Sequence, residues 1–423
     1  MRYFTLLVLC TSAFAAETPT LTPLAALEKD AHSRVSAKAR VPLADSGSDL
    51  FKGIDSLEPA NSKQVPNYVR AMATLPKMAG PFSHLFKTFI SSSALPAETK
   101  LGMALRIAQI NKSPYTVAHV ERLLKSTEHG KVILAALQGG RVNTLTLPEQ
   151  QAIAYADALT RQVSGLSDAE FQAANAVYND SQIVELSFTT CFFNYFTRFA
   201  EALNLPVEPW VFETAPAHLD SAPPAPARVS LVSDDEMSAT ETVVAAAKSA
   251  ASATANWNIG IANSQRAMLH APQMMLAWRA FGTAAQEYTA ATRETKLQVS
   301  LAVSTANGCR YCTLHQVLGL RRLGVDPAKL LAMQKNDSAL TPLELAAVTF
   351  ARKLTAEPAG ISDADYGHLR DVFKEQGAVE VLMQTCNFAF MNRFTDGLRL
   401  PSEDEAIKVY RETYGGDWQR KQK

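Results

Sequence analysis

The sequence predicts an all-α protein built as two tandem helical domains related by internal duplication, and three observations carry that expectation. Helix-start signals come first. Thr341-Pro342-Leu343-Glu344 supplies an N-cap hydroxyl, a proline at the first helical position and an acid at the third, followed by the apolar stripe Leu343, Ala347, Phe350 and Leu354. Thr146-Leu147-Pro148-Glu149 starts a matching helix, and Ser167-Asp168-Ala169-Glu170 and Ser362-Asp363-Ala364-Asp365 open another in each half. Second, no run of alternating apolar and polar residues is bounded by hairpin turns, so strands should be few or absent. Third, the chain repeats itself. Glu98-Thr99-Lys100-Leu101 returns as Glu294-Thr295-Lys296-Leu297, an offset of 294 − 98 = 196, and Met72/Pro76/Met78 returns as Met268/Pro272/Met274. Leu166-Ser167-Asp168-Ala169 returns as Ile361-Ser362-Asp363-Ala364, and Thr190-Cys191 with Arg198-Phe199 as Thr385-Cys386 with Arg393-Phe394, at an offset of 361 − 166 = 195.

Taken in order, residues 1–15 read as a secretory signal: a basic start, an apolar run from Thr5 to Ala15, and Ala13-Phe14-Ala15 as the cleavage site. That predicts an exported protein, periplasmic or secreted. The apolar run falls well short of the ~20 residues a membrane-spanning helix needs. Residues 16–65 mix Thr, Pro, Ser and Asp and form an N-terminal extension; residues 66–206 form the first domain. Residues 207–236 carry Pro209, Pro216, Pro223, Pro224 and Pro226 and read as a linker, because proline removes backbone donors and blocks helix. The second domain is 237–423, and each half is expected to have its own core.

Lys+Arg and Asp+Glu are both 41, a formal net charge of zero. Nothing in that balance favours nucleic acid or an anionic membrane as partner. No glycine-rich phosphate loop occurs, and no cofactor or metal is called for by the sequence. Without the signal, four cysteines remain: Cys191, Cys309, Cys312 and Cys386. Cys191 and Cys386 sit at equivalent places in aromatic-rich runs, where buried inert thiols are expected; a bridge between them is the alternative.

The chemistry concentrates in Asn307-Gly308-Cys309-Arg310-Tyr311-Cys312-Thr313-Leu314-His315. Residues three apart on a helix share a face, so Cys309, Cys312 and His315 are the candidate catalytic residues of a dithiol redox site. With Asn307 as N-cap, Cys309 falls in the first turn, where free N–H groups favour a thiolate. Arg310 can add positive charge, and Tyr311 can pack beside the site or donate a hydrogen bond. The first half carries Ser113, Thr116 and His119 at the equivalent places. It cannot perform dithiol chemistry.

The string Glu294-Thr295-Lys296-Leu297, Leu301-Ala302-Val303-Ser304, Asn307-Gly308-Cys309-Arg310-Tyr311-Cys312 and His315, followed by Cys386-Asn387-Phe388, Asn392-Arg393-Phe394 and Gly397-Leu398, resembles the carboxymuconolactone decarboxylase / alkyl hydroperoxidase D-like superfamily. The resemblance spans roughly Met268 to Pro401, with a degenerate version over roughly Met72 to Pro206. It implies an all-α fold, assembly into homo-oligomers and, where both cysteines are kept, thiol-dependent peroxidase activity. A hydroperoxide would be the substrate and a dithiol of unspecified identity the reductant. Two departures matter. The family's relay glutamate corresponds to Leu297 here, and His315 follows Cys312 by three residues rather than four. Glu294, one turn earlier, is either a substitute in the proton relay or a solvated first-turn acid.

Other readings compete on the same residues. C-x-x-C with His offers three ligands of the type zinc takes. A non-catalytic binding or structural protein with a vestigial disulfide is a second reading, and thiol–disulfide exchange with protein partners a third.

Overall fold

The computed structural model describes residues 21–54, 65–91, 94–163, 166–213, 231–233, 235–254 and 259–418. The signal segment 1–15 and most of the expected linker lie outside the described residues. Among those described, the regular structure is helical, with no strand. The first half contains α1 (Leu24–Ser33), α2 (Asn67–Met72), α3 (Ala79–Ser91), α4 (Ala97–Ile110), α5 (Pro114–Leu124), α6 (Glu128–Gln138), α7 (Leu147–Arg161), α8 (Asp168–Asn175) and α9 (Asp180–Ala202). The second contains α10 (Glu241–Thr254), α11 (Asn263–Met268), α12 (Pro272–Gln286), α13 (Arg293–Asn307), α14 (Arg310–Arg322), α15 (Pro327–Lys335), α16 (Pro342–Ala356), α17 (Asp363–Gly397) and α18 (Asp404–Tyr414).

The caps expected from sequence form. Thr146, Ser167, Thr341 and Ser362 all close capping boxes with the acid three residues on. Each satisfies two of the donors a helix start leaves unpaired. Gly324, at φ +86, follows the C-cap Leu323 of α14, and Pro327 opens α15. The helix order of the halves matches: α2 and α11 begin 263 − 67 = 196 residues apart. The counterpart of α8 and α9 is α17, whose two helical stretches meet at Lys374, with φ +60 and ψ 178.

The halves do not have separate cores. One buried apolar cluster runs through both, centred where α9 lies against α17. Phe188 of α9 meets Phe390 and Phe394 of α17 at ring-centroid distances of 5.9 and 5.0 Å, and Phe82 of α3 meets Phe281 of α12 at 5.7 Å. Aromatic residues flanking Cys191 and Cys386 thus meet across the seam, and each half covers the apolar side that the other would expose. Polar ties follow the same seam. Arg40 Nε donates to Asp363 at 2.6 Å and Arg399 pairs with Asp168, so each half's Asp at the start of α8 or α17 is held by an arginine from outside its own half. A smaller cluster in the second half joins Leu314, Val317 and Leu318 of α14 to Ala406 and Tyr410 of α18.

Residues 207–213 also depart from the linker expectation. Val207, Glu208 and Val211 are buried against the first half. Proline there ends helix without loosening the chain, because the segment's apolar side chains dock on α5.

Candidate active site

Gly308 sets the geometry of the thiol segment. Its φ of +68 is a left-handed conformation that glycine adopts without steric cost, and it stops α13. Cys309 then becomes the N-cap of α14, its Sγ accepting the Cys312 N–H at 3.4 Å. The sequence placed Asn307 in that role. Asn307 is instead the last residue of α13, and its side-chain amide donates to Asn392 Oδ1 at 2.9 Å. The reversal at Gly308 puts a sulfur, not an amide, at the helix start.

Both sulfurs meet at one hydroxyl. Cys309 Sγ and Cys312 Sγ each lie 3.3 Å from Thr395 Oγ1, which comes from α17 and donates to Met391 O at 3.0 Å. Cys309 and Cys312 are free thiols and both are buried, Cys309 completely and Cys312 at 3% exposure. Burial pushes the Cys309 thiol well above its ordinary range, reinforced by the neighbouring Cys312 sulfur and the Asp396 carboxylate. Cys191 and Cys386 are free and buried too, and burial raises both thiols.

His315 is buried, but neither of its nitrogens hydrogen-bonds a sulfur. Nδ1 lies 2.7 Å from the Tyr311 carbonyl and must donate to it; Nε2 lies 2.5 Å from Glu403 Oε2. Burial raises the Glu403 carboxyl, but hydrogen bonds from His315 and from the Asn263 backbone outweigh it and hold the group below the usual carboxylate range. Both ring nitrogens are thus engaged, and neither is free to take a proton from a thiol. Tyr311 completes the cluster: its ring stacks on His315 at 4.1 Å, and its hydroxyl donates to Glu403 at 3.0 Å while accepting Ser264 N–H at 3.2 Å.

The first half holds the same network without any sulfur. His119 Nε2 lies 3.0 Å from Glu208 Oε2, Tyr115 donates to Glu208 at 3.1 Å, and Tyr68 N–H donates to the Tyr115 hydroxyl at 3.1 Å. Thiol chemistry is therefore not what the His–Tyr–Glu cluster requires. It ties the segment after the long C-terminal helix of each half back to the helix carrying the histidine. What does differ between the halves is the floor: Thr395 corresponds to Ala200, since 395 − 195 = 200. Ser113 and Thr116, in place of the thiols, bond each other at 2.8 Å, and Ser113 donates to Glu201 at 2.7 Å.

The remaining site candidates fall as follows. Glu294, half-buried in the first turn of α13, takes hydrogen bonds from Lys329 at 2.7 Å and Gln298 at 3.0 Å, in keeping with the first-turn acid that the sequence offered as one of its two readings. Arg310 is exposed and reaches Ser402 Oγ at 3.3 Å, away from both sulfurs. His315 stands with Glu403 instead of with the cysteines, so C-x-x-C-x-x-H does not assemble as three converging ligands; among the described residues no group of three metal-binding side chains is present. Glu403, Glu208 and Thr395 were missed. The repeat held a clue, since Leu205-Pro206-Val207-Glu208 returns as Leu400-Pro401-Ser402-Glu403.

Residues 272–353 match the model of the Carboxymuconolactone decarboxylase family. Two solved structures of the debrominase Bmp8 are similar to the chain. One, an alanine variant in complex with 2,3,4-tribromopyrrole, is 19% identical over 44% of this chain and 96% of its own, with a TM-score of 0.39. The other, the apo form, is 20% identical over 44% and 97%, with a TM-score of 0.38. No curated protein matches the chain.

Proposed function

We propose that the second half, in which residues 272–353 match the Carboxymuconolactone decarboxylase family model, is a thiol-dependent peroxidase that reduces a small hydroperoxide through Cys309 and Cys312. The observation that carries this reading is the pair of free sulfurs meeting at one Thr395 hydroxyl, neighbours that can close an intramolecular disulfide. Cys312 is the attacking thiol because Cys309 is wholly enclosed and held protonated by its surroundings.

The cycle balances with the groups present and one external reductant. The Cys312 thiolate attacks the terminal peroxide oxygen, the O–O bond breaks, and the alcohol leaves with a proton; Cys312 becomes a sulfenic acid. Cys309 then attacks that sulfur, an S–S bond forms, and hydroxide leaves as water with the Cys309 proton. A dithiol donates two electrons and two protons to restore the pair. His315 acts as a positioning residue, holding the first turn of α14 through Tyr311 and Glu403. Burial of both sulfurs favours small reactants over a protein disulfide as the oxidant. The first half serves as a partner surface that completes the shared core.

Hydroperoxide consumption by wild type, Cys309→Ser and Cys312→Ser, with a generic small dithiol as reductant, tests the reading. Turnover in the wild type that either serine abolishes supports it. Equal turnover in all three proteins overturns it.

A further inference from the structure

Among the described residues Thr395 is the polar side chain that hydrogen-bonds both sulfurs, and the first half has Ala200 at the equivalent place. Its hydroxyl carries one hydrogen and two lone pairs. Carbonyl oxygens of α17 can only accept, Met391 O at 3.0 Å and Asn392 O at 3.4 Å, so a Thr395 hydroxyl that donates to them has its lone pairs left for the two thiols at 3.3 Å. The one hydroxyl oxygen then links both sulfurs to α17.

The bond to Met391 is easily given up. Met391 O lies within α17 and also accepts from the helix backbone, so rotating the hydroxyl away leaves no orphan carbonyl. We propose that Thr395 is a catalytic hydroxyl rotor for the dithiol: it accepts from both thiols at rest, donates to the thiolate that forms, and passes the Cys309 proton to the departing oxygen during disulfide closure. In that last step the Cys309 S–H proton moves to Thr395 Oγ1 while the Thr395 hydrogen moves to the hydroxide leaving Cys312. The S–O bond breaks, the S–S bond forms, and water departs. Threonine ends as it began. The inference rests on the dithiol reading above, and it supplies the donor that His315, occupied by Glu403 and Tyr311, does not.

Thr395→Val keeps the shape and the β-branch while removing the hydroxyl; Thr395→Ser keeps the hydroxyl. Two readouts are needed. The first is the rate of iodoacetamide alkylation of the full-length reduced protein against pH, with Cys10, Cys191 and Cys386 replaced by alanine so that only the dithiol reports. Losing a hydrogen bond to a thiolate should cut the thiolate fraction about tenfold in the valine variant, moving the profile up by about one pH unit. Serine should restore it. The second is the single-turnover rate of disulfide formation with hydrogen peroxide, expected to fall at least as far in valine and to recover in serine. An unchanged alkylation profile in Thr395→Val overturns the inference whatever the peroxide assay shows. A shifted profile in a protein whose wild type consumes no hydroperoxide upholds the rotor and overturns the peroxidase reading instead.

Discussion

Replacing Glu403 by glutamine, alongside Glu208 by glutamine, separates a structural role for the His–Tyr–Glu cluster from a proton-relay role. Glu403 accepts from His315 at 2.5 Å, from the Tyr311 hydroxyl at 3.0 Å and from Asn263 N–H at 2.6 Å. Glutamine retains one carbonyl oxygen for Tyr311 and Asn263, but turns an NH2 donor toward a ring nitrogen that is itself a donor. The loss is one charge-assisted hydrogen bond in a mostly buried site, about 2–3 kcal/mol. Glu208 faces His119 at 3.0 Å, Tyr115 at 3.1 Å and Asn67 N–H, so its replacement should cost a similar amount. Urea denaturation at neutral pH followed by far-ultraviolet circular dichroism reads both. Acid adds a second signature. The folded Glu403 carboxyl is held below its ordinary value of 4.5, so its contribution is present above that pH and lost as pH falls through the folded value. Glu403→Gln should flatten the stability profile in that acid window. A Glu403→Gln protein of wild-type stability with abolished thiol turnover would refute the tie and restore a relay.

Three further outcomes follow from the packing and the charges. Phe188→Ala removes a fully buried ring that touches Phe89, Phe390 and Phe394, and should cost about 3–5 kcal/mol while calorimetry still shows one transition; two separated transitions, only the first shifted, would mean independent halves. Gly308→Ala forces a Cβ into a left-handed turn and should destabilise by about 1 kcal/mol, with slower disulfide closure as α14 loses its entry angle. Burial and the hydrogen bond that its protonated form donates to Glu28 raise the Glu121 carboxyl to about 7, beside a cavity of about 300 Å³ between α1 and α5. The folded state therefore holds a proton that the unfolded chain releases near 4.5, and stability falls as pH rises from there to about 7. Glu121→Gln should remove that fall, a gain of at most about 3 kcal/mol at pH 8, reduced because the Glu28 carboxyl shifts the opposite way; an unaltered pH profile of denaturation would contradict it.

Features governed by a few neighbouring residues were readable in advance. Capping boxes at Thr146, Ser167, Thr341 and Ser362 form because the hydroxyl and the acid are one turn apart, whatever surrounds them. One local error, Asn307 for Cys309, came from not crediting Gly308 with a left-handed turn that moves the helix start by two residues. Cys191 and Cys386 were read as buried thiols within aromatic runs, and both are fully buried. That their aromatic neighbours meet across the two halves needed the crossing of α9 and α17, because buried aromatic surface does not specify which apolar surface will cover it.

The repeat, the helical content and the sulfur pair with its histidine are written in the chain, since each depends on spacing within a turn or on self-similarity along it. The direction of the His315 ring, the hydroxyl under the sulfurs and the shared core were decided by folding. Glu403 lies 88 residues beyond His315, and Thr395 lies 83 beyond Cys312 and 86 beyond Cys309. A hydrogen bond acts over about 3 Å, so its partners are chosen by whichever helix packing brings alongside, and no local pattern around the thiols encodes that choice.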